Sequence, residues 1–134
     1  MTPPNRVAAA LQEAALGMDA LKSAQALLEL VLPNDAVSRA YYAAFHHARA
    51  LLVMHDLEPR THRGVIAALE RLSAAGELPA EDVSALARLQ TFRALADYDS
   101  SSRITAERAR SEATASSTLV QALRAALQAR GCAL

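Results

Sequence analysis

The sequence has few of the residue types that break or cross-link a chain. Its 134 residues include one cysteine, Cys132, so no disulfide can form within the chain, which fits a reducing compartment. Glycine and proline occur four and five times, tryptophan is absent, and aromatic residues make up 4%. The apolar residues are therefore mainly alanine and leucine, which are good helix formers. This length and composition predict one all-α domain over residues 1–134.

The sequence also has no excess charge of one sign. Fourteen basic and fourteen acidic residues balance, and Lys22 is the only lysine among the basic ones. Because no overall field draws the protein to nucleic acid, contact with RNA requires a local basic patch. The opening residues MTPPNR do not resemble a signal peptide, and no uncharged stretch reaches 18 residues. We therefore expect a cytoplasmic protein with no membrane contact.

Apolar periodicity predicts an up-and-down bundle of four to five helices. The expected helices cover residues 5–32, 35–56, 61–75, 80–95 (or to 98), and 105 to just before 131, with residues 1–5 disordered. Pro33 is expected to end the first helix, and Asn34 or Asp35 to cap the second. Gly17 is expected to bend or divide the first helix.

The second helix carries the stretch SRAYYAAFHHARALL, residues 38–52, which has two apolar-leaning faces. One face, from Val37 to His55 and flanked by Phe45 and Leu52, is the expected core face. The opposite stripe recurs at steps of three and four and consists of Arg39, Tyr42, His46, Arg49 and Val53. This stripe is either a solvated face with stray apolar residues or a contact surface. We favour a contact surface, most simply one that pairs two copies about a twofold axis.

A second unusual segment, RLQTFRALADYDSSSR, covers residues 88–103. Arg93 and Asp97 are four residues apart, so they can pair on one helix face. Taken alone, such a pair is an ordinary surface ion pair worth about 0.5 kcal/mol or less. The segment nevertheless ends a helix and leads into a stretch rich in hydroxyl groups, so it is also a candidate site.

Three segments, SRAYYAAFHHARALL, LEPRTHRGVIAAL and RALADY, resemble in order and spacing the HEPN domain superfamily, in particular its small free-standing prokaryotic members. The resemblance covers roughly residues 15–130. It implies a HEPN-like helical bundle, a homodimer and a metal-independent ribonuclease. It also implies a toxin whose antitoxin is a minimal nucleotidyltransferase, with no metal or cofactor.

The HEPN signature is an arginine followed, after four to six residues, by a histidine. Arg93 matches the arginine, but the histidine position is Tyr98, and longer spacings reach Asp99 and Ser100. Histidine serves as acid or base near neutral pH, whereas tyrosine side chains ionise near pH 10 and make poor bases. Arg93 is still suited to bind phosphate. In some HEPN toxins the partner enzyme attaches AMP to a tyrosine near the motif. Tyr98 is a tyrosine in roughly the matching place.

Two other histidines are candidates to replace the missing one. His62 begins the third helix between Arg60 and Arg63. It is either a residue near the helix cap that packs locally or, because a helix start and two arginines suit phosphate, part of a binding site. His46 lies on the second stripe. The leading hypothesis is an RNA-cleaving toxin with Arg93, Asp97 and Tyr98 in the site, and with Arg39, Tyr42, His46, Arg49 and His62 binding RNA or nucleotide or lining the dimer cleft. The alternative is a non-catalytic HEPN module that binds nucleotide, RNA or a partner protein.

Overall fold

Five α-helices make up the secondary structure of the computed structural model, which describes residues 1–98, 101 and 103–134. They are α1 (Pro3–Glu29), α2 (Pro33–Met54), α3 (His62–Ala74), α4 (Ala80–Tyr98) and α5 (Ala106–Ala129). The predicted all-α bundle is confirmed. Asp99 and Ser100, which the longer motif spacings reach, lie outside the described residues.

The turn between α1 and α2 differs from the prediction. The first helix ends at Glu29 rather than Leu32, and Val31 reverses the chain with a φ of 58°. Pro33 does not end a helix but begins α2, since its fixed φ and missing N–H suit a first helical position. The expected caps Asn34 and Asp35 therefore lie inside the first turn of α2. The side chain of Asn34 instead joins distant parts of the chain.

The predicted break at Gly17 is wrong, because α1 is continuous from Pro3 to Glu29. Gly17 is buried and faces α2. A Cβ built on it would lie 2.9 Å from the carbonyl oxygen of Ala43, and closer still to Nδ1 of His47. Glycine is thus needed here so that two helices can approach closely, while the helical hydrogen bonds continue past it.

Helix α2 is the centre of the bundle and contacts all four other helices. Its predicted core face is buried from Val37 to Leu51, with Tyr41 almost fully enclosed, whereas His55 at its end is half-buried. Helices α1 and α4 lie on either side of α2 and do not touch each other in the described part of the chain. The second stripe of α2 lies in the gap between them. Four of its residues are half-buried there, while the fifth, Val53, belongs to the core.

The remaining helices follow their predicted signals. Thr61 caps α3, and its hydroxyl accepts a hydrogen bond of 2.9 Å from the N–H of Gly64. One stripe of α5, from Ala109 to Leu127, is buried. At the amino end of the chain, Thr2 caps α1, so residues 3–5 are helical in this structure. No helix among the described residues is long and apolar enough to cross a membrane.

Candidate functional site

Arg93 lies near the end of α4 with its side chain turned into the protein. Only 4% of the residue is exposed. One terminal nitrogen, Nη1, donates to Tyr98 Oη at 3.1 Å and to Asp97 Oδ2 at 3.4 Å, and Nη2 donates to Gln90 Oε1 at 3.2 Å. The remaining donor, Nε, is buried and has no hydrogen-bond partner in the described part of the chain. An unpaired buried donor costs about 1–3 kcal/mol, so a further acceptor at Nε would stabilise this site.

Three tyrosine rings surround the guanidinium. Its central carbon lies 5.4 Å from the ring centroid of Tyr41, 5.7 Å from that of Tyr42 and 5.4 Å from that of Tyr98. Each ring is within cation–π range. Burial alone would lower the pKa of Arg93, but its contacts with Tyr98, Tyr42 and Asp97 outweigh burial and raise it. Arg93 and the three tyrosines, named here the arginine–tyrosine cluster, therefore hold a permanent positive charge.

His62 joins the arginine–tyrosine cluster from the first position of α3. Its Nδ1 shares a hydrogen bond of 2.7 Å with the hydroxyl of Tyr41, and its ring packs 4.8 Å from the ring of Phe45. Burial, and secondarily the charge of Arg93, lower the pKa of His62 below its ordinary value. The imidazole is only half-buried. The fold thus brings together a histidine and an arginine that are far apart in the sequence.

A shallow cavity of about 460 Å³ adjoins the cluster on the exposed side of α4. Its lining includes Gln90 and Tyr98, which both accept hydrogen bonds from Arg93, together with Leu95. Tyr98 is 76% exposed and Leu95 39%. Rotation of the Tyr98 ring would consequently open the guanidinium toward this cavity without moving a buried residue.

The second stripe of α2 extends from this cluster toward α1. Arg39 stacks on the Tyr42 ring, with 4.9 Å between its central carbon and the ring centroid. Farther along α2, His46 Nδ1 lies 2.8 Å from Glu13 Oε2, and Arg49 lies 3.5 Å from Glu13 Oε1. Glu13 of α1 thus holds the far end of the stripe, while Arg93 of α4 contacts its near end.

The structure therefore places all eight predicted site residues in two neighbouring groups, which meet where the rings of Tyr42 and His46 lie 6.2 Å apart. Arg93, Asp97, Tyr98, Tyr42 and His62 belong to the near group, with Arg39 at its edge; His46 and Arg49 belong to the far group. The sequence interpretation missed three contributors. Tyr41 was assigned only to the core, although its place beside Tyr42 in the two-faced stretch could have indicated a role in the site. Nothing comparable in the sequence indicates Gln90 or Glu13.

No group of three or more histidine, cysteine or acidic side chains in the described part of the chain is placed to hold a metal ion. The chemistry that these residues offer is that of a fixed positive charge, a half-buried imidazole and phenol hydroxyls. Such a set is suited to binding a phosphate and to transferring protons beside it.

Comparison with known proteins identifies the class. The family model of the HEPN domain matches residues 15–129, and the chain belongs to this family. A Methanocaldococcus jannaschii protein named "Putative toxin MJ0605" is 54% identical over 46 residues, 34% of each chain. A Gloeobacter violaceus protein named "UPF0332 protein glr0978" is 39% identical over 79 residues, 58% of this chain and 63% of that one. The chain thus matches about a third of the first relative's length and under two thirds of the second's.

A solved structure has the same fold. The crystal structure of TT1696 from Thermus thermophilus superimposes with a TM-score of 0.69, over 90% of this chain and 97% of that one. The two sequences are 22% identical. At this level of identity the likeness establishes the shared bundle and carries no argument about the chemistry of the site.

Proposed function

We propose that this HEPN protein is an RNA-cleaving toxin that acts without a metal ion and is paired with a minimal nucleotidyltransferase antitoxin. The observation that carries the proposal is Arg93, a buried guanidinium with one unpaired donor, whose partners Gln90 and Tyr98 line an open cavity. The toxin name of the Methanocaldococcus relative supports the biological role. The HEPN resemblance supports the nucleotidyltransferase partner.

In this proposal Arg93 binds the phosphodiester that is cut. Tyr98 and Gln90 hold two of its nitrogens in the free protein, and a phosphate offers several acceptor oxygens in their place. Bonds from a charged donor to a phosphate are stronger than bonds to a neutral hydroxyl or amide, so the exchange is favourable. Asp97 continues to neutralise part of the guanidinium charge and keeps the side chain oriented.

Two copies of the chain complete the proposed site. Tyr42 of the second stripe and the exposed Tyr98 both contact Arg93, and Leu95 is exposed near Tyr98, so these residues are the surface we assign to the pairing. Pairing about a twofold axis through this surface brings the two arginines toward one shared, positively charged groove. Such a groove supplies the local basic patch that RNA binding requires, because the chain as a whole carries no net charge.

A second function is favoured by a specific feature of the same site. Both terminal nitrogens of Arg93 already have partners within the chain, and the position of the motif histidine is Tyr98. A site of this kind suits binding without cleavage. The alternative is accordingly a HEPN module that binds RNA, a nucleotide or a partner protein.

The test is cleavage of end-labelled single-stranded RNA by the purified protein in the presence of a metal chelator. We expect cleavage by the unaltered chain and loss of at least about a hundredfold in rate for Arg93→Ala, since the phosphate loses its charged donor. Arg110→Ala is the matched control, because Arg110 is an exposed arginine of α5 outside this site. Circular dichroism checks that both variants remain helical.

The outcomes separate the two functions. If the unaltered chain does not cut RNA but binds it, and Arg93→Ala weakens binding, the non-catalytic module is the correct function. If Arg93→Ala and Arg110→Ala behave alike in both assays, Arg93 is not part of a functional site.

A further inference from the structure

His62 is a histidine whose ring contacts two tyrosines of the arginine–tyrosine cluster. It reaches the arginine–tyrosine cluster from α3, whereas the HEPN signature places its histidine on the helix of the arginine, where this chain has Tyr98. Its Nδ1 is bonded to Tyr41, which is 1% exposed and cannot reorient freely. The opposite nitrogen, Nε2, has no hydrogen-bond partner among the residues that the structure describes. The ring also packs against Tyr42 at 6.0 Å and Phe45 at 4.8 Å, which fixes its plane.

We propose that His62, held by Tyr41, is the catalytic base of this site and replaces the histidine that is absent from α4. This inference rests on the proposed RNA cleavage and names the residue that performs its proton transfer. Tyr41 is a positioning residue, because it acts on the substrate only through His62.

Nδ1–H of neutral His62 donates to the Tyr41 oxygen, which leaves a lone pair on Nε2. Nε2 takes the proton of the RNA 2′-hydroxyl, the 2′-oxygen forms a bond to phosphorus, and the bond from phosphorus to the 5′-oxygen breaks. The Tyr98 hydroxyl gives its proton to that leaving oxygen, and solvent then returns the proton from His62 to Tyr98. The products end in a 2′,3′-cyclic phosphate and a 5′-hydroxyl.

The surroundings favour His62 over His46 for this role. His46 belongs to the far group, where Nδ1 pairs with the carboxylate of Glu13, and its ring centroid lies 6.2 Å from that of Tyr42. His62 is the histidine whose ionisation responds to the charge of Arg93. Because burial and Arg93 both lower its pKa, His62 is neutral at pH 7 and ready to accept a proton.

The experiment compares His62→Asn with His55→Asn in the RNA cleavage assay with chelator. Asparagine retains a donor near the position of Nδ1 and removes Nε2, so Tyr41 keeps a partner while the base is lost. We expect His62→Asn to lower the single-turnover rate by about 10²–10⁴-fold and His55→Asn, which lies at the end of α2 outside the site and the second stripe, to change it by less than about threefold. Tyr41→Phe is expected to move the acidic limb of the pH–rate profile, which a purely structural role of the hydroxyl would leave in place.

A second measurement needs no substitution at His62. NMR titration of the unaltered chain gives the pKa of each of its four histidines, and the acidic limb of the pH–rate profile gives the kinetic pKa. Agreement of the kinetic pKa with that of His62 supports the proposal, and agreement with that of His46 overturns it.

The assays distinguish a wrong role for His62 from a wrong proposed function. If the unaltered chain cuts RNA, Arg93→Ala does not, and His62→Asn cuts as fast as the unaltered chain, the role of His62 is wrong while the proposed function stands. If the unaltered chain leaves RNA intact, both are wrong.

Discussion

Tyr98 is the residue at which this chain departs from the HEPN signature, and its surroundings explain what it does instead. Its hydroxyl accepts a hydrogen bond from Arg93, and its ring covers the guanidinium on the side of the open cavity. A histidine at this position would supply a base, whereas the phenol supplies a cover and an acidic hydrogen. The substitution therefore changes the role of the position without removing it from the site.

The replacement Tyr98→His tests this interpretation directly. If the surrounding cleft is otherwise suited to RNA cleavage, we expect the rate to rise about tenfold or more, because an imidazole near Arg93 adds a second proton-transfer group. The measurement is single-turnover cleavage of labelled RNA at about pH 7.

Tyr98→Phe is the matched control, since it keeps the ring but loses the hydroxyl, and we expect it to be slower than the unaltered chain. A rate unchanged by Tyr98→His would mean that position 98 does not face the reacting phosphate.

For individual residues of the site, the sequence predicted the residue types better than their contacts. The pairing of Arg93 with Asp97 follows from a spacing of four on one helix and is present at 3.4 Å. The bond between Tyr41 and His62 joins two helices, and no local spacing encodes it. Asn34 shows the same limit, because its side chain joins Ala96 and Ile104 rather than capping α2.

The contact between α1 and α2 depends on small residues. Gly17 faces His47, and Ala14 and Ala24 of the same helix are almost fully buried. His47 is itself buried, with Nδ1 donating to the carbonyl oxygen of Ala43 at 2.7 Å and Nε2 accepting from Arg124 at 3.3 Å. The two helices are therefore held at a separation that their smallest side chains set.

Gly17→Ala is expected to destabilise the protein although alanine is the better helix former. The gain in helix propensity is about 1 kcal/mol, whereas the added Cβ overlaps His47 and presses on the Ala43 carbonyl. Overpacking of this kind costs about 1–3 kcal/mol, or more where backbone must move. Urea unfolding measures the difference in free energy.

The control for Gly17→Ala is Ser23→Ala in the same helix. Ser23 is exposed, so this change raises helix propensity without a clash, and we expect it to be neutral or slightly stabilising. Equal effects of the two changes would show that the helices do not meet at Gly17.

Because His47 is buried, we expect the folded protein to lose stability in mild acid. Burial lowers its pKa, the hydrogen bond to Ala43 opposes this, and Arg124 lowers it further. Since the unfolded chain then binds the proton more tightly, stability is full above about pH 6.5 and falls as the pH decreases below that value. One such group changes the free energy of unfolding by at most about 1.4 kcal/mol per pH unit.

Urea unfolding between about pH 8 and pH 5.5 measures this dependence. His47→Gln is expected to reduce the slope, and His55→Gln to reduce it less, because His55 is less buried and its pKa is lowered in the same direction. An identical slope in the unaltered chain and His47→Gln would contradict the prediction.

Helix type and approximate position were predictable, because alanine and leucine at steps of three and four identify a helix wherever it packs. The ends of the helices were less predictable. Pro33 was expected to stop α1 and instead starts α2, since the chain reverses at Val31, whose β-branched side chain gives no turn signal. The continuity of α1 through Gly17 depends on the partner helix, which is invisible in local sequence.

For the whole molecule, we expect a dimer built on the surface between α1 and α4. Multi-angle light scattering at tens of micromolar should give about twice the chain mass of 14.2 kDa. Leu95→Glu is expected to shift the protein toward the monomer, because it places a charge on an exposed apolar position beside Tyr98.

The matched control is Leu16→Glu, since Leu16 is an exposed leucine of α1 with 52% of its surface accessible and no place in the arginine–tyrosine cluster. A monomer mass for the unaltered chain would contradict the dimer, and equal effects of the two substitutions would place the contact elsewhere.

The central position of α2 has a consequence for how the protein accepts a ligand. This helix is enclosed by four neighbours and carries Tyr41 and Tyr42, so one wall of the site is rigid. The opposite wall comes from the last turn of α4 and the first turn of α3, where helix ends have fewer neighbours to hold them. If the ligand is RNA, as proposed, we expect adjustment to different sequences at Tyr98 and around Thr61, while Tyr41 and Tyr42 keep the same geometry.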